Sequence, residues 1–187
     1  MQQSRIPNSI VSYRIRVLTK VLLKKDFGLE WDIPDSHLTP GLTGRINYLN
    51  WIHEVLQLVP DASETPSNNQ SGIDVGTGAS CIYPLLGHAL YGWTFDATDI
   101  DNESVISSEH LVTLNKLDHA IQIHQRTPSQ PLLTDLVATP VSFSMCNPPF
   151  FSSMEEVCIC KTLFVISLLF LRSKEILELI VRQLQMN

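Results

Sequence analysis

The sequence predicts an open α/β fold, a parallel sheet covered by helices, preceded by a small helical module. Three observations carry this expectation. After residue 70, short apolar segments alternate with helical periods at the spacing of strand–helix–strand units. Before residue 60, apolar residues recur instead at intervals of three and four. Between the two lies PDASETPSNNQ (Pro60–Gln70), a polar, Pro-containing stretch that reads as a linker and marks the first boundary.

Each element has its own signal. Residues 1–12 read as a loose terminus. Tyr13–Phe27 is predicted helical, with Ile15, Leu18, Val21 and Leu22 as its apolar stripe and Gly28 as its stop. Leu29–Gly44 carries Pro34, Pro40 and Gly41 and reads as loop. Arg45–Leu58 is a second helix, with Ile46, Leu49, Ile52 and Leu56 on one face. Ser71–Val75 is the first strand and runs into Gly76-Thr77-Gly78. Ser80–Tyr91 is a helix that tolerates Pro84 only in its first turn. Trp93–Thr98, Ala120–His124 and Val141–Cys146 are further strands, and Asp101–Leu117 a helix opening on acids.

Composition narrows the function classes. The chain has 187 residues, 44% of them hydrophobic and 17% charged, which excludes a disordered polar tail. Its longest apolar run, Thr162–Leu171, has ten residues. A bilayer span needs roughly 20, so a membrane anchor is the weaker reading of that run. The four cysteines (Cys81, Cys146, Cys158, Cys160) show no framework spacing, which suits a reducing intracellular compartment. No Cys or His pair completes a metal site with Cys158 and Cys160, so no metal is expected.

The net charge of −6 is unevenly spread. Residues 1–25 hold six basic residues and no acid, and residues 26–157 hold three basic residues and 17 acids. A basic arm on an acidic body points to a polyanion held at one end through Arg14, Arg16, Lys20, Lys24 and Lys25. The competing reading is a solvated amphipathic helix with its Lys and Arg on the wet face.

Three segments carry chemistry. In Asp74-Val75-Gly76-Thr77-Gly78-Ala79-Ser80 a strand ends in a Gly-rich turn that opens a helix. Glycines let the backbone pass close to a ligand. Cys81 stands where the dinucleotide fingerprint needs a third Gly, and no Lys follows to cradle phosphates. What remains is a turn that approaches an uncharged part of a nucleoside-like cofactor, or a purely structural turn. Asp99 ends the second strand, 25 residues after Asp74. A carboxylate there can accept both hydroxyls of a ribose; the alternative is helix-capping charge shared with Asp101 and Glu103.

The third segment, Asn147-Pro148-Pro149-Phe150, directly follows the fourth strand and is the most specific. An amino group on a π-system is a poor nucleophile because its lone pair is delocalised. The Asn147 amide oxygen and the Pro148 carbonyl can each accept one of its N–H bonds, raising electron density on nitrogen. The prolines stiffen the turn, and Phe150 can stack on a flipped-out base. A plain Pro-rich turn closing a strand is the bland alternative.

These residues resemble class I S-adenosylmethionine-dependent methyltransferases that act on amino groups. IDVGTGASCIYPLLG (Ile73–Gly87), ATDID (Ala97–Asp101) and MCNPPFF (Met145–Phe151) resemble the adenine-N6 RNA methyltransferases of ribosomal large-subunit RNA and of U6 small nuclear RNA. KKDFGLEWDIP (Lys24–Pro34) and RINYLNWI (Arg45–Ile52) are similar to that family's N-terminal module. The resemblance covers roughly residues 13–157. It implies a Rossmann-like sheet ordered 3-2-1-4, represented by its first four strands. It implies S-adenosylmethionine as cofactor, with Arg45 on its carboxylate, Gly76, Gly78 and Ser80 along the methionine part beside Asp74, Asp99 on the ribose and Asp135 at the adenine. Asn147, Pro148, Pro149 and Phe150 would form the catalytic loop. It implies structured RNA as partner, without metal or membrane, and a nuclear rather than cytoplasmic site of action. The sequence departs from the family at Gln130-Pro131, where a Lys-Thr pair is usual, and Pro131 offers neither hydroxyl nor N–H.

The chain therefore divides into 1–70, a basic helical RNA-binding module and linker; 71–157, a partial cofactor-binding catalytic domain; and 158–187, a divergent tail. Val157-Cys158 can be encoded by GTATGT, a form taken by intron 5′ splice donors, so the tail is read as alternative or intron-encoded sequence. A fourth strand left at the sheet edge would invite self-association. Two other functions stay open: methylation of a glutamine side-chain amide, and a non-catalytic fragment that binds cofactor or RNA.

Overall fold

The computed structural model describes residues 8–58, 70–127, 129–130 and 141–147. Helices α1 (Asn8–Phe27) and α2 (Leu42–Leu58) precede β1 (Ser71–Val75), α3 (Ile82–Tyr91), β2 (Thr94–Asp99), α4 (Asn102–Leu114), β3 (Ile121–Gln125) and β4 (Phe143–Cys146). The four strands form one parallel sheet in the order β3-β2-β1-β4. The 3-2-1-4 order expected from the resemblance is therefore present.

The strands are short and mostly buried because helices cover them. Ile73, Phe95, Ala97, Ile121, Phe143 and Met145 are all nearly inaccessible. Gly72 pairs with Phe143 across β1 and β4. A Cβ on Gly72 would lie 2.5 Å from the Phe143 ring, so the missing side chain is what admits the aromatic. Gly87 does the same for Phe95 from α3. Trp93 and Phe143 then meet at 4.9 Å between ring centroids, and Phe95 packs edge-on against Phe143.

Helix ends follow local chemistry. Asp101 caps α4, accepting the Ser104 N–H at 2.8 Å, and that bond helps hold its carboxyl below the usual range. The helix stops at Leu114, three residues short of the expected end; Asn115 follows as its cap and Lys116 turns to φ 58°. Pro84 sits in the first turn of α3, as anticipated. The α2 stripe also behaves as expected: Leu49 and Ile52 are buried, and Ile46 and Leu56 pack against the core.

Helix α1 does not face the core as its periodicity suggested. Ile15, Leu18 and Val21 are 45%, 58% and 54% exposed, whereas Thr19 and Leu23 are buried. The rotation goes with ion pairing on one side of the helix. Arg16, Lys20 and Lys24 form one stripe, and all three pair with acids of the following segment, Glu30, Asp32 and Asp35. Turning that stripe toward the segment places 19, 23 and 27 inward and 14, 18, 21 and 25 outward. No helix among the described residues is long and apolar enough to cross a membrane.

Candidate active site at the carboxyl end of the sheet

Parallel pairing brings three chemistry-bearing segments to one end of the sheet. Val75 stands level with Thr98 of β2 and with Cys146 of β4. The residues that follow these three are Gly76, Asp99 and Asn147. A shared register thus sets the Gly-rich turn between an acid and the first residue of Asn147-Pro148-Pro149-Phe150. Ligands of open parallel sheets bind at this end.

The turn is fixed from behind. Gly76 and Thr77 N–H both donate to the Thr98 carbonyl at 2.9 Å. Gly78 N–H donates to Asp99 Oδ2 at 2.8 Å, and Asp101 N–H to Asp99 Oδ1 at 2.9 Å. Ser108 and Ser107 of α4 donate to the Gly78 and Ala79 carbonyls at 2.7 and 2.8 Å. The Trp31 indole N–H donates to the Ser80 carbonyl at 3.0 Å. Gly76 and Gly78 have φ of 77° and 63°, a region costly for other residues, and among the described residues nothing lies within 4 Å where their Cβ atoms would be. Cys81, a buried thiol whose ionisation burial opposes, takes φ 46° before α3.

Under the turn, Asp74 is 1% exposed, and neither carboxylate oxygen has a hydrogen bond of normal geometry among the described residues. Burial raises its pKa to about 7; the nearby Thr77 hydroxyl opposes this and Asp99 adds to it. The Arg45 Nε is likewise buried without a hydrogen-bond partner among the described residues. Arg45 and Asp74 both act electrostatically on Tyr83, and Tyr83 stacks edge-on with Tyr48 at 5.7 Å. A buried acid without a well-formed hydrogen bond and a half-buried guanidinium whose Nε is unpartnered, around two phenols, suit a zwitterion: an ammonium for Asp74 and a carboxylate for Arg45. The methionine end of S-adenosylmethionine has that charge pattern, and the open faces of Gly76 and Gly78 leave room for it.

Among the expected cofactor residues, Asp74, Gly76, Gly78, Ser80 and Asp99 meet in and around one turn, and Arg45 of α2 lies within electrostatic reach of Tyr83, as Asp74 does. Asn147 is exposed at the end of β4. Pro148, Pro149, Phe150 and Asp135 lie outside the described residues, as does the tail from 158. The basic stripe divides: Arg16, Lys20 and Lys24 are engaged by acids of their own chain. Arg14 and Lys25 make no ion pair among the described residues.

Sequence reasoning missed Trp31, Ser107, Ser108, Tyr48 and Tyr83. Only Trp31 left a signal: Leu29, Trp31 and Ile33 are buried while Asp32 is exposed and Glu30 half-buried, a period of two in LEWDI.

A family model described as RNA methyltransferase matches residues 10–162. The chain belongs to this family. Ribosomal RNA large subunit methyltransferase F of Pseudomonas entomophila is 40% identical over 146 residues, 76% of this chain and 46% of that protein. The Homo sapiens RNA N(6)-adenosine-methyltransferase METTL16 is 40% identical over 146 residues, 76% of this chain and 25% of that protein. The chain thus spans about half or less of these relatives' lengths. Among solved family structures, the N-terminal domain of human METTL16 in complex with SAH aligns at a TM-score of 0.67 and 36% identity, covering 83% of this chain and 64% of that one. The human METTL16 catalytic domain in complex with the MAT2A 3′UTR hairpin 6 aligns at 0.62 and 40% identity, covering 76% and 46%.

Proposed function

We propose that the chain is the cofactor-side portion of an S-adenosylmethionine-dependent methyltransferase acting on the N6 amino group of adenosine in structured RNA. The observation that carries this reading is the common register of Gly76, Asp99 and Asn147 at one end of the sheet. Asp99 keeps lone pairs for ribose hydroxyls while it holds the turn. Arg45 and Asp74 take the two charges of the methionine part. Bound there, the cofactor supplies a methyl group already activated by the sulfonium. The amide oxygen of Asn147 and the carbonyl of Pro148 each accept one N–H of the adenine amino group, directing its lone pair. Phe150 stacks on the base and Pro149 stiffens the loop. Catalysis then comes chiefly from alignment.

Arg14 and Lys25, together with Arg16, Lys20 and Lys24 in exchange for the acids of their own chain, supply phosphate contacts, which makes RNA binding salt-sensitive. The resemblance supports a ribosomal or U6-type RNA hairpin as substrate and the nucleus as the site of action. β4 pairs only with β1 among the described residues, so the reading includes self-association through β4, detectable as a mass that rises with concentration. Asp135 at the adenine, and the 158–187 tail as alternative sequence, belong to the same reading.

Transfer of labelled methyl to RNA hairpins and to a glutamine-containing peptide tests it. The RNA should be labelled and the peptide not, and Asn147→Ala should lower transfer at least 100-fold while retaining cofactor binding. Peptide labelling, or transfer surviving in Asn147→Ala, would refute the assignment.

A further inference from the structure

The segment between α1 and the loop before α2 touches two regions at once. Leu29, Trp31 and Ile33 are buried against the core. Glu30 and Asp32, the residues between them, turn to α1. Lys24 pairs with Glu30, and Asp32 accepts from Arg16 Nε at 2.9 Å and Lys20 Nζ at 3.0 Å. Arg16 also donates to the Ile33 carbonyl and pairs with Asp35. On the inner side, the Trp31 indole N–H holds the Ser80 carbonyl at 3.0 Å. The Asn115 side chain grips both the N–H and the carbonyl of Glu30 at 2.8 Å.

Two contrasts give this arrangement meaning. The carbonyls of Gly78 and Ala79 are held by α4, from within the sheet domain, but the Ser80 carbonyl is held by the N-terminal module. The bonds behind the turn are partly buried, whereas the acids paired with α1 are open to water: the side chains of Asp32 and Asp35 are 52% and 99% exposed. Exposed pairs of this kind are weak and screened by salt, so a polyanion can displace them. Three carboxylates spaced along Arg16, Lys20 and Lys24 occupy the positions that phosphates would take.

We propose that Glu30–Ile33 is a relay between the two sites, with Trp31 as its positioning residue. Phosphates that take the α1 cations release Asp32 and Glu30, the segment loses its outer anchor, and the Trp31 hold on Ser80 weakens. Polyanion at α1 and cofactor at the Gly-rich turn thus oppose each other. This rests on the reading of α1 as the polyanion-facing helix and of the turn as the cofactor site. By linkage the opposition is reciprocal.

The test uses the full chain and inorganic polyphosphate, which carries phosphate charge but no base to enter the catalytic site. S-adenosylhomocysteine is titrated calorimetrically with and without saturating polyphosphate. The indole N–H resonances of the three tryptophans are followed in parallel, that of Trp31 being assigned by its loss in Trp31→Phe. Polyphosphate should shift the Trp31 resonance and weaken S-adenosylhomocysteine about fivefold, a modest coupling between sites. Trp31→Phe should still bind polyphosphate but lose that dependence. Asp32→Asn, which keeps the indole, should show the weakened affinity without polyphosphate, and Asp32→Glu should restore it. Polyphosphate binding that leaves cofactor affinity unchanged overturns the relay alone. Failure to bind polyphosphate overturns the relay together with the reading of α1. Absence of S-adenosylhomocysteine binding under every condition overturns it together with the reading of the turn.

Discussion

The Gly-rich turn and helix α1 are both held in place by hydrogen-bonded polar groups, yet by opposite means. Behind the turn the donors are hydroxyls, an indole and backbone amides, largely withdrawn from water, on carbonyls and one carboxylate. Along α1 the contacts are ion pairs whose acids and lysines stand about half or more in solvent, with Arg16 half-buried between them. Buried neutral hydrogen bonds are costly to leave unmade and insensitive to salt. Exposed ion pairs are individually weak and fade as salt rises. The contrast assigns rigidity to the region that would hold the cofactor and exchangeability to the region that would meet RNA.

Three perturbations sharpen that contrast. The largest effect belongs to Asp74. Its folded pKa is near 7 against an ordinary value of 3.8, so the unfolded chain releases this proton first as pH rises. The group is least unfavourable below about pH 4 and fully unfavourable above about pH 7. Urea unfolding of the cofactor-free protein should show Asp74→Asn gaining roughly 2–4 kcal/mol over wild type at pH 8 and little at pH 4. A pH-independent difference would break the account of a buried, unsatisfied carboxylate.

Next comes Ser108→Ala. The hydroxyl is completely buried and supplies the bond to the Gly78 carbonyl. Its loss should cost about 1–3 kcal/mol in urea unfolding, equally at low and high salt. A cost that vanished in high salt would erase the distinction between the two regions. The smallest effect is that of Arg16→Gln, which removes pairs to Asp32 and Asp35. It should cost under about 1 kcal/mol at low salt and nothing measurable in 1 M salt. A larger, salt-resistant loss would make α1 as rigid as the turn.

Much of this was legible in the sequence because it depends on local chemistry. Alternating apolar segments with glycines at their ends specified the strands and the turn, and the order of Ile73–Gly87, Ala97–Asp101 and Met145–Phe151 specified which strand ends would meet. The facing of α1 was not legible. Two stripes, 15-18-22 and 19-23-27, are both compatible with a helix, and what distinguishes them, the packing of 19 and 23 and the pairing with Glu30, Asp32 and Asp35, lies beyond the helix itself. The role of Trp31 was hidden for a similar reason: its partner is Ser80, 49 residues away. The unsatisfied state of Asp74 depends on what surrounds it in space. An acid in a strand looks the same in sequence whether it is solvated or buried.

The central claim is that the turn between Asp99 and Asn147 is a cofactor site, and calorimetric titration of the full chain with S-adenosylhomocysteine at pH 8 tests it most directly. Saturable binding at one site per chain, weakened at least tenfold by Asp99→Ala, is the expected result. A folded chain that gives no heat and no thermal shift with this ligand would contradict it.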